Sequence, residues 1–288
     1  YEGIVSPAYT VLKNKIEIDE GFYKYLFKKE DFINRLNSVI YGIRDGKQIS
    51  YSDFKDLKLQ YPPIGEQKRI ATILSTWDKA IELKEKLIEQ KKEQKKGLMQ
   101  KLLTGEIRLA GFEGEWNEKR LSEIFKITSG KSKSSYIEQN GKYFIVDMGA
   151  ISTEGKLITK KKTNINSDLL NLGDLVMAKD DIGGGNIIGK VVYIDENNKY
   201  ILGDHVYKLE CLEGDSRFLA YLINSYPINM DFRRKATGTA QKGLGRKDVE
   251  NQIIKVPNYE EQKAISQIIT SVDKEIQLQL KELNELKI

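Results

Sequence analysis

The chain has 288 residues, 40% of them hydrophobic and 31% charged, enough apolar content for about two domain cores. A formal net charge of +5, from 47 Lys+Arg against 42 Asp+Glu, indicates a nucleic-acid partner only if the positive charge is clustered. A single cysteine, Cys211, excludes a disulfide framework and a four-cysteine zinc site, and a single histidine, His205, excludes a histidine metal cage; with no apolar run near the roughly 18 residues of a membrane span, a cytoplasmic chain without metal or cofactor is expected.

In chain order, residues 1–63 read as the end of a globular domain. After Pro63, apolar residues at Ile70, Ile73, Leu74, Trp77, Ile81, Leu87 and Ile88 keep helical spacing and predict a helix to about Leu103, stopping near Gly105. Some 38 residues at roughly 1.5 Å each give a rod of about 57 Å. Its stretch Lys84–Lys101 carries seven Lys and three Glu, which reads as a solvated face, with a basic surface toward DNA or an acidic partner as the alternative.

Residues 108–257 read as a mixed α+β domain. Trp116–Thr128 begins it with a short helix or strand. Tyr143–Val146, Leu175–Ala178, Ile187–Ile194 and Tyr207–Leu209 are short strand-like runs, and Asp215–Asn229 is a helix with Phe218, Leu219, Leu222 and Ile223 inward. Gly183–Gly185 and Gly189 form a hairpin tip rather than a phosphate loop, because a strand-like run and not a helix follows them. His205 reads as a packed, hydrogen-bonded residue. The last segment, 258–288, is a second helix with Ile265, Ile268, Ile269, Val272, Ile276, Leu280 and Leu283 on one stripe.

The two helices begin alike. YPPIGEQKRIATILSTWDKAI (61–81) and VPNYEEQKAISQIITSVDKEI (256–276) are identical at nine positions with an offset of 195, among them Pro62/Pro257, Glu66/Glu261, Gln67/Gln262 and Asp78/Asp273. Upstream, Phe22, Tyr25 and Leu26 match Phe218, Tyr221 and Leu222 at offset 196, and Asp53 matches Asp248. The period is too long for a solenoid and implies two copies of one domain, each followed by a helix. The first copy is shorter than the second, so the chain is expected to begin inside a domain, and its second helix to stop short of the length of the first. A coiled-coil-like pairing of the helices is expected to bury Ile70, Leu74, Trp77 and Ile81 against Ile265, Ile269, Val272 and Ile276.

Positive charge does cluster. Arg233–Lys247 (RRKATGTAQKGLGRK) holds six basic residues and no acidic one. Arginine and lysine suit phosphates and guanine edges, and glutamine suits adenine. Candidate DNA contacts there are Arg233, Arg234, Lys235, Thr237, Thr239, Gln241, Lys242 and Arg246. SGKSKSSY (129–136) adds Lys131, Lys133, Ser135 and Tyr136, the glycine tip adds Asn186, and the first copy adds Arg44, Lys47 and Gln48. No nucleophile triad, paired carboxylates, P-loop, nuclease metal site or methyl-donor pocket is present in the sequence.

With a Pro-x-x-x-Glu-Gln step into each long helix, the tail KKGLMQKLLTGEIRL, the domain start WNEKRLSEIFKITSGK, GDLVMAK and the run GTAQKGLGRKDVENQIIKVP, the chain resembles the specificity subunits of type I restriction-modification systems. The resemblance covers nearly its whole length. It implies two target-recognition domains held apart by antiparallel helices, each reading one half of a split site in double-stranded DNA. It also implies two modification (methyltransferase) subunits docked on the helices, restriction (ATP-dependent nuclease) subunits joining through the complex, and no chemistry by this chain itself. The domain expectation is then 1–63 as the end of a first target-recognition domain, 64–107 and 258–288 as spacer helices, and 108–257 as a second target-recognition domain. The competing readings are a shortened subunit acting as a helical adaptor or decoy, and a free-standing methyltransferase or nuclease, whose motifs the sequence lacks.

Overall fold

The computed structural model describes residues 4–6, 9, 11–38, 49–182, 184–238 and 242–287. The chain divides into two compact units, Tyr1–Glu89 with Gln279–Ile288, and Gln90–Leu278.

In the first unit, short helices α1 (Glu20–Leu26), α2 (Glu30–Asn37) and α3 (Tyr51–Lys55) precede α4 (Ile64–Leu103). Phe22, Tyr23 and Phe32 are buried. Phe27 fills the space between them, 5.9 Å from the Tyr23 ring, 5.2 Å from Phe32 and 6.4 Å from Phe54. Pro62 and Pro63 sit just outside α4, where the missing N–H costs nothing. Gly105 follows its end at φ +73°, a conformation open to glycine without a Cβ penalty.

The second unit begins with the last turns of α4. Strand β1 (Asn117–Arg120), helix α5 (Leu121–Ile124) and β2 (Phe125–Ser129) come next, then β3 (Tyr143–Val146), β4 (Lys162–Thr163), β5 (Leu175–Ala178), β6 (Asp180–Asp181), β7 (Val191–Tyr193), β8 (Tyr200–Leu202) and β9 (Val206–Cys211). Helices α6 (Ser216–Asn224) and α7 (Tyr226–Lys235), strand β10 (Lys242–Gly243), helix α8 (Arg246–Glu250), strand β11 (Ile253–Val256) and the long α9 (Tyr259–Leu286) complete the chain. A four-stranded antiparallel sheet runs β2-β9-β5-β7, and a smaller sheet runs β4-β3-β8 with β3 and β8 parallel. The α+β class and the pair of long helices are as the sequence predicts. The single helix expected over Asp215–Asn229 is two: Ser225 is extended (ψ 154°) and Pro227 opens α7, which carries Arg233–Lys235 on its last turn rather than in a loop.

Strand β5 is buried on both faces, which is why its sequence LVMA shows no alternation. Leu175 and Met177 enter a core with Leu121, Ile124, Phe218, Phe232, Leu102 and Leu103 of α4, and Ile265 and Ile269 of α9. Val176 and Ala178 face a second core with Val146, Tyr200 and Leu202 of the small sheet. Helix tail and domain therefore share one core in this unit.

The sequence repeat is a repeat of hydrogen bonds. Asp19 caps α1 by accepting from the Phe22 N–H, and Asp215 caps α6 by accepting from the Phe218 N–H. The Asp19 N–H donates to Gln67 Oε1 and the Asp215 N–H to Gln262 Oε1, at 2.9 and 3.0 Å. Each glutamine Nε2 donates back to the preceding proline carbonyl, of Pro62 or Pro257, both at 2.8 Å. The Tyr25 hydroxyl donates to Asp78 (2.8 Å) and the Tyr221 hydroxyl to Asp273 (3.0 Å); burial and the Asp273 carboxylate push the Tyr221 hydroxyl up to about 12. The identical Gln, Pro and Asp of the repeat thus latch a domain helix to the long helix that follows it. Gln262→Ala is expected to cost about 1–3 kcal/mol, because it strands a half-buried N–H and a buried carbonyl. A lower urea midpoint at unchanged slope would register it.

Within the second unit α4 and α9 are bridged by Lys91–Glu275 at 2.9 Å and Lys95–Asp273 at 2.6 Å, an antiparallel progression. In the first unit Lys84 pairs with Glu282, and Lys287 with Glu85 at 2.6 Å. Lys84, Lys91 and Lys95 therefore hold the helix pair together, where the sequence suggested a solvated face. The packing stripe is only partly as expected. Ile265, Ile269 and Ile276 are buried; Ile70, Leu74, Ile81 and Val272 are half-buried; Trp77 is 51% exposed. Trp77 is on the predicted stripe but outside the packing, as is its neighbour Ile73. In the second copy Leu102 and Leu103 are buried in one core with Ile265 and Ile269, with Leu98, Met99 and Ile268 packed against it. No described residue buries Ile73 or Trp77 in the first unit.

Candidate nucleic-acid interface

Four segments emerge at one end of the large sheet. Strand β2 ends at Ser129 opposite Tyr207, and β5 ends at Ala178 opposite Val206, so the chain after β2, before β9, after β5 and before β7 leaves the sheet at a single edge. The Gly130 N–H donates to the Val206 carbonyl, and a Cβ on Gly130 would lie 1.6 Å from the Gly203 carbonyl oxygen, so only glycine lets these two loops cross. Strand β10 pairs with β6, Lys242 opposite Asp181 and Gly243 opposite Asp180, and the Leu244 N–H donates to the Lys179 carbonyl. The described parts of the segments 130–136, 203–205, 179–182 with 184–189, and 233–238 with 242–246, far apart in sequence, are neighbours for this reason.

At that end Lys131, Ser135, Tyr136, Asn186, Thr237, Lys242 and Arg246 are exposed and Arg233 is half-buried. The Arg233 guanidinium donates to Asn186 Oδ1 at 3.3 Å, joining α7 to the glycine tip. Arg234 stands 3.8 Å from Asp231 and Arg246 forms a 2.6 Å pair with Glu250, each one turn along its own helix. One candidate is committed inward, and a second is exposed but tethered to a neighbouring amide. Lys133 is only 6% exposed and donates to Asp168 at 2.7 Å, and Lys235 donates to the Gln252 side-chain carbonyl at 2.7 Å. Their charge was legible in the sequence; the partners that hold them, a carboxylate for Lys133 and a neutral amide for Lys235, come from segments 35 and 17 residues away. Thr239, Gln241, Arg44, Lys47 and Gln48 lie outside the described residues.

His205 takes φ +57°, and its Nδ1 lies 2.7 Å from an oxygen of buried Asp180. Asp181 accepts the Ile187 N–H at 3.1 Å and so shapes the glycine tip. These carboxylates organise the loops from beneath while the cations stand outside. Lys190 is a contributor that the sequence reading missed. Its ammonium reaches the Asn224 carbonyl at 3.2 Å, and its pKa is lowered, first by burial and then by nearby Arg233. Also missed was the run Lys160–Lys162, visible in the sequence but remote from the expected loops. Cys211 lies at the opposite end of the sheet, where burial pushes its thiol up to about 11 and keeps it protonated at neutral pH. No cluster of three or more potential metal ligands occurs among the described residues, and none of their helices is long and apolar enough to cross a membrane.

Cations beside glycines, amides and hydroxyls on loops fixed by a sheet can neutralise phosphates and read base edges. The chain is 29% identical over 314 residues to the type I restriction enzyme MjaVIII specificity subunit of Methanocaldococcus jannaschii, covering 99% of this chain and 71% of that protein. It is 27% identical to the MjaX specificity subunit of the same organism, over 95% of this chain and 66% of that one. The chain thus spans about two thirds of the length of these relatives. In fold it matches the type I restriction-modification S subunit from M. genitalium, with a TM-score of 0.64 at 20% identity over 94% of this chain and 70% of that one. It also matches the HsdS subunit from Thermoanaerobacter tengcongensis, with a TM-score of 0.52 at 18% identity over 93% and 66%. The profile of the type I restriction modification DNA specificity domain matches residues 5–92 and 113–287, most of the chain, and the chain belongs to that family.

Proposed function

We propose that this chain selects the DNA site for a type I restriction-modification complex and performs no chemistry itself. The observation that carries the reading is the convergence of separate basic loops at one end of the sheet of residues 108–257. In this reading that region is a target-recognition domain, residues 1–63 belong to a second one, and the paired helices fix the distance between two half-sites. Two modification subunits dock on the helices, and restriction subunits join through the complex.

An adenine-methylation map of DNA from cells with and without the gene, in the presence of its modification subunit, tests the reading. Loss of one split motif on deletion supports it and identifies the target. An unchanged map overturns it in favour of a helical adaptor or decoy.

Trp77 bears on the partner. Its side chain is half in solvent, so Trp77→Glu is expected to change the stability of the chain by no more than about 0.5 kcal/mol. An exposed tryptophan on a helix is the kind of residue that anchors an interface. The same change is therefore expected to weaken binding of the modification subunit by at least about tenfold, or about 1.4 kcal/mol. Calorimetric titration of the purified subunits measures it, and undiminished affinity would remove Trp77 from the docking surface.

A further inference from the structure

A second basic surface lies away from the recognition loops, on the small sheet. Its lysines come from three places in the sequence: Lys142 before β3, Lys160–Lys162 leading into β4, and Lys199 before β8. Pairing brings them together, since Phe144 of β3 lies opposite Lys162 on one side and Tyr200 on the other. The Lys142 ammonium sits 5.0 Å from the Tyr143 ring centre, Lys162 4.9 Å from Phe144, and Lys199 5.4 Å from Tyr200. The Phe144 and Tyr200 rings are 6.2 Å apart. Lys161 and Lys199 are paired with Asp147 and Glu196. Lys142 and Lys162 instead lie over aromatic faces, and Lys160 is exposed. A ring orients an ammonium without cancelling its charge. Glu138 and Asp195 stand at the margin, held by Asn164 and Tyr200.

The small sheet is tied to the loop end through the backbone. Strand β8 leads within three residues to His205, and the Gly203 N–H donates to the Val146 carbonyl beside Asp147, the partner of Lys161. The three lysines without a carboxylate partner among the described residues lie on or just before two adjacent strands about 4.8 Å apart, with Lys160 and Lys162 roughly 7 Å apart along the chain. That is about two nucleotide steps of one DNA strand, at 3.4 Å each. Lysines lack the bidentate fork of arginine and suit phosphates rather than base edges, and the one amide close by, Asn164, is taken up by the Lys142 N–H and Glu138.

We infer that Lys142, Lys160 and Lys162 form a sequence-independent phosphate-binding surface that takes the backbone of duplex DNA flanking the bases read by the loops. The inference rests on the DNA-recognition reading above. The test is the salt dependence of binding of the full chain to a mixed-sequence duplex of about 30 base pairs, from about 50 to 300 mM KCl. The variant Lys142→Gln/Lys160→Gln/Lys162→Gln is expected to lose about 2–3 from the slope of log affinity against log salt, and on the order of 10- to 100-fold in affinity near physiological salt. The corresponding triple arginine variant is expected to keep both, which separates lost charge from lost folding. The methylated motif is expected to be the same for all three proteins. An unchanged slope in the glutamine variant, with wild-type chain that binds, overturns the surface alone. If that unchanged slope comes with lost affinity for the modification subunit, the patch belongs to a protein partner and the inference is equally overturned. A wild-type chain without salt-dependent binding overturns the DNA reading and this surface with it.

Discussion

Replacing Arg233, Arg234 and Lys242 together by alanine is expected to weaken duplex binding on the order of 100-fold at physiological salt and to flatten the salt slope by about 2–3. Each phosphate contact releases close to one condensed counterion, which near 0.15 M salt amounts to roughly a fivefold change in affinity. The three side chains stand at the last turn of α7 and on β10, at the end of the sheet where the loops converge. Lys235 is left out of the set because its ammonium, though exposed, already donates to the Gln252 side chain. Unlike the lysines of the small sheet, Arg233 adjoins Asn186 and Lys242 lies beside Gly185 of the glycine tip, so loss of the set is also expected to relax the methylated motif. A variant that binds weakly but methylates the same motif would assign them to phosphates alone. A variant with unchanged affinity and slope would remove this end of the sheet from the DNA.

Phe218→Ala is expected to destabilise the second unit by about 3–5 kcal/mol, the usual cost of a phenyl-sized cavity in a packed core. The ring is fully buried, 6.2 Å from the Trp116 ring in edge-to-face geometry. It shares its core with Leu102 and Leu103 of α4 and with Ile265 and Ile269 of α9, so little can collapse into the space it leaves. For a unit of this size the fall in melting temperature is roughly 6–20 °C. Phe218→Leu keeps most of the volume and is expected to lose less than half as much. Calorimetry of the three proteins measures both. A loss under about 1 kcal/mol for the alanine variant would mean that the core refills from its helices.

Much of this was legible in the residues themselves. The long helices show because an apolar stripe at helical spacing, prolines ahead of it and a glycine behind it are local signals. The repeated Pro, Glu, Gln and Asp mark two copies, and the structure gives three of them a task. Gln67 and Gln262 join the cap of a domain helix to a proline carbonyl, and Asp78 and Asp273 receive a tyrosine hydroxyl. Glu261 is buried under the fork of Arg108, at 2.6 and 2.7 Å, a pairing across 153 residues that spacing cannot reveal.

The family, the α+β class, the helix pair and the stretches in which positive charge is concentrated follow from the residues alone. These depend on residue type and short-range periodicity, which folding leaves unaltered. Only the tertiary structure decided which charges are available. Lys133 is spent inside the domain, Lys235 is tethered to an amide at the surface, Lys91 and Lys95 join the helices, and Lys142 and Lys162 come to adjacent strands of one small sheet. It also decided that Trp77, central to its predicted stripe, faces solvent while Ile265 and Ile269, on the matching stripe of the second helix, are buried. A side chain's burial or ion pair depends on what the fold brings against it, and that partner is set by strand pairing and helix packing between segments distant in sequence.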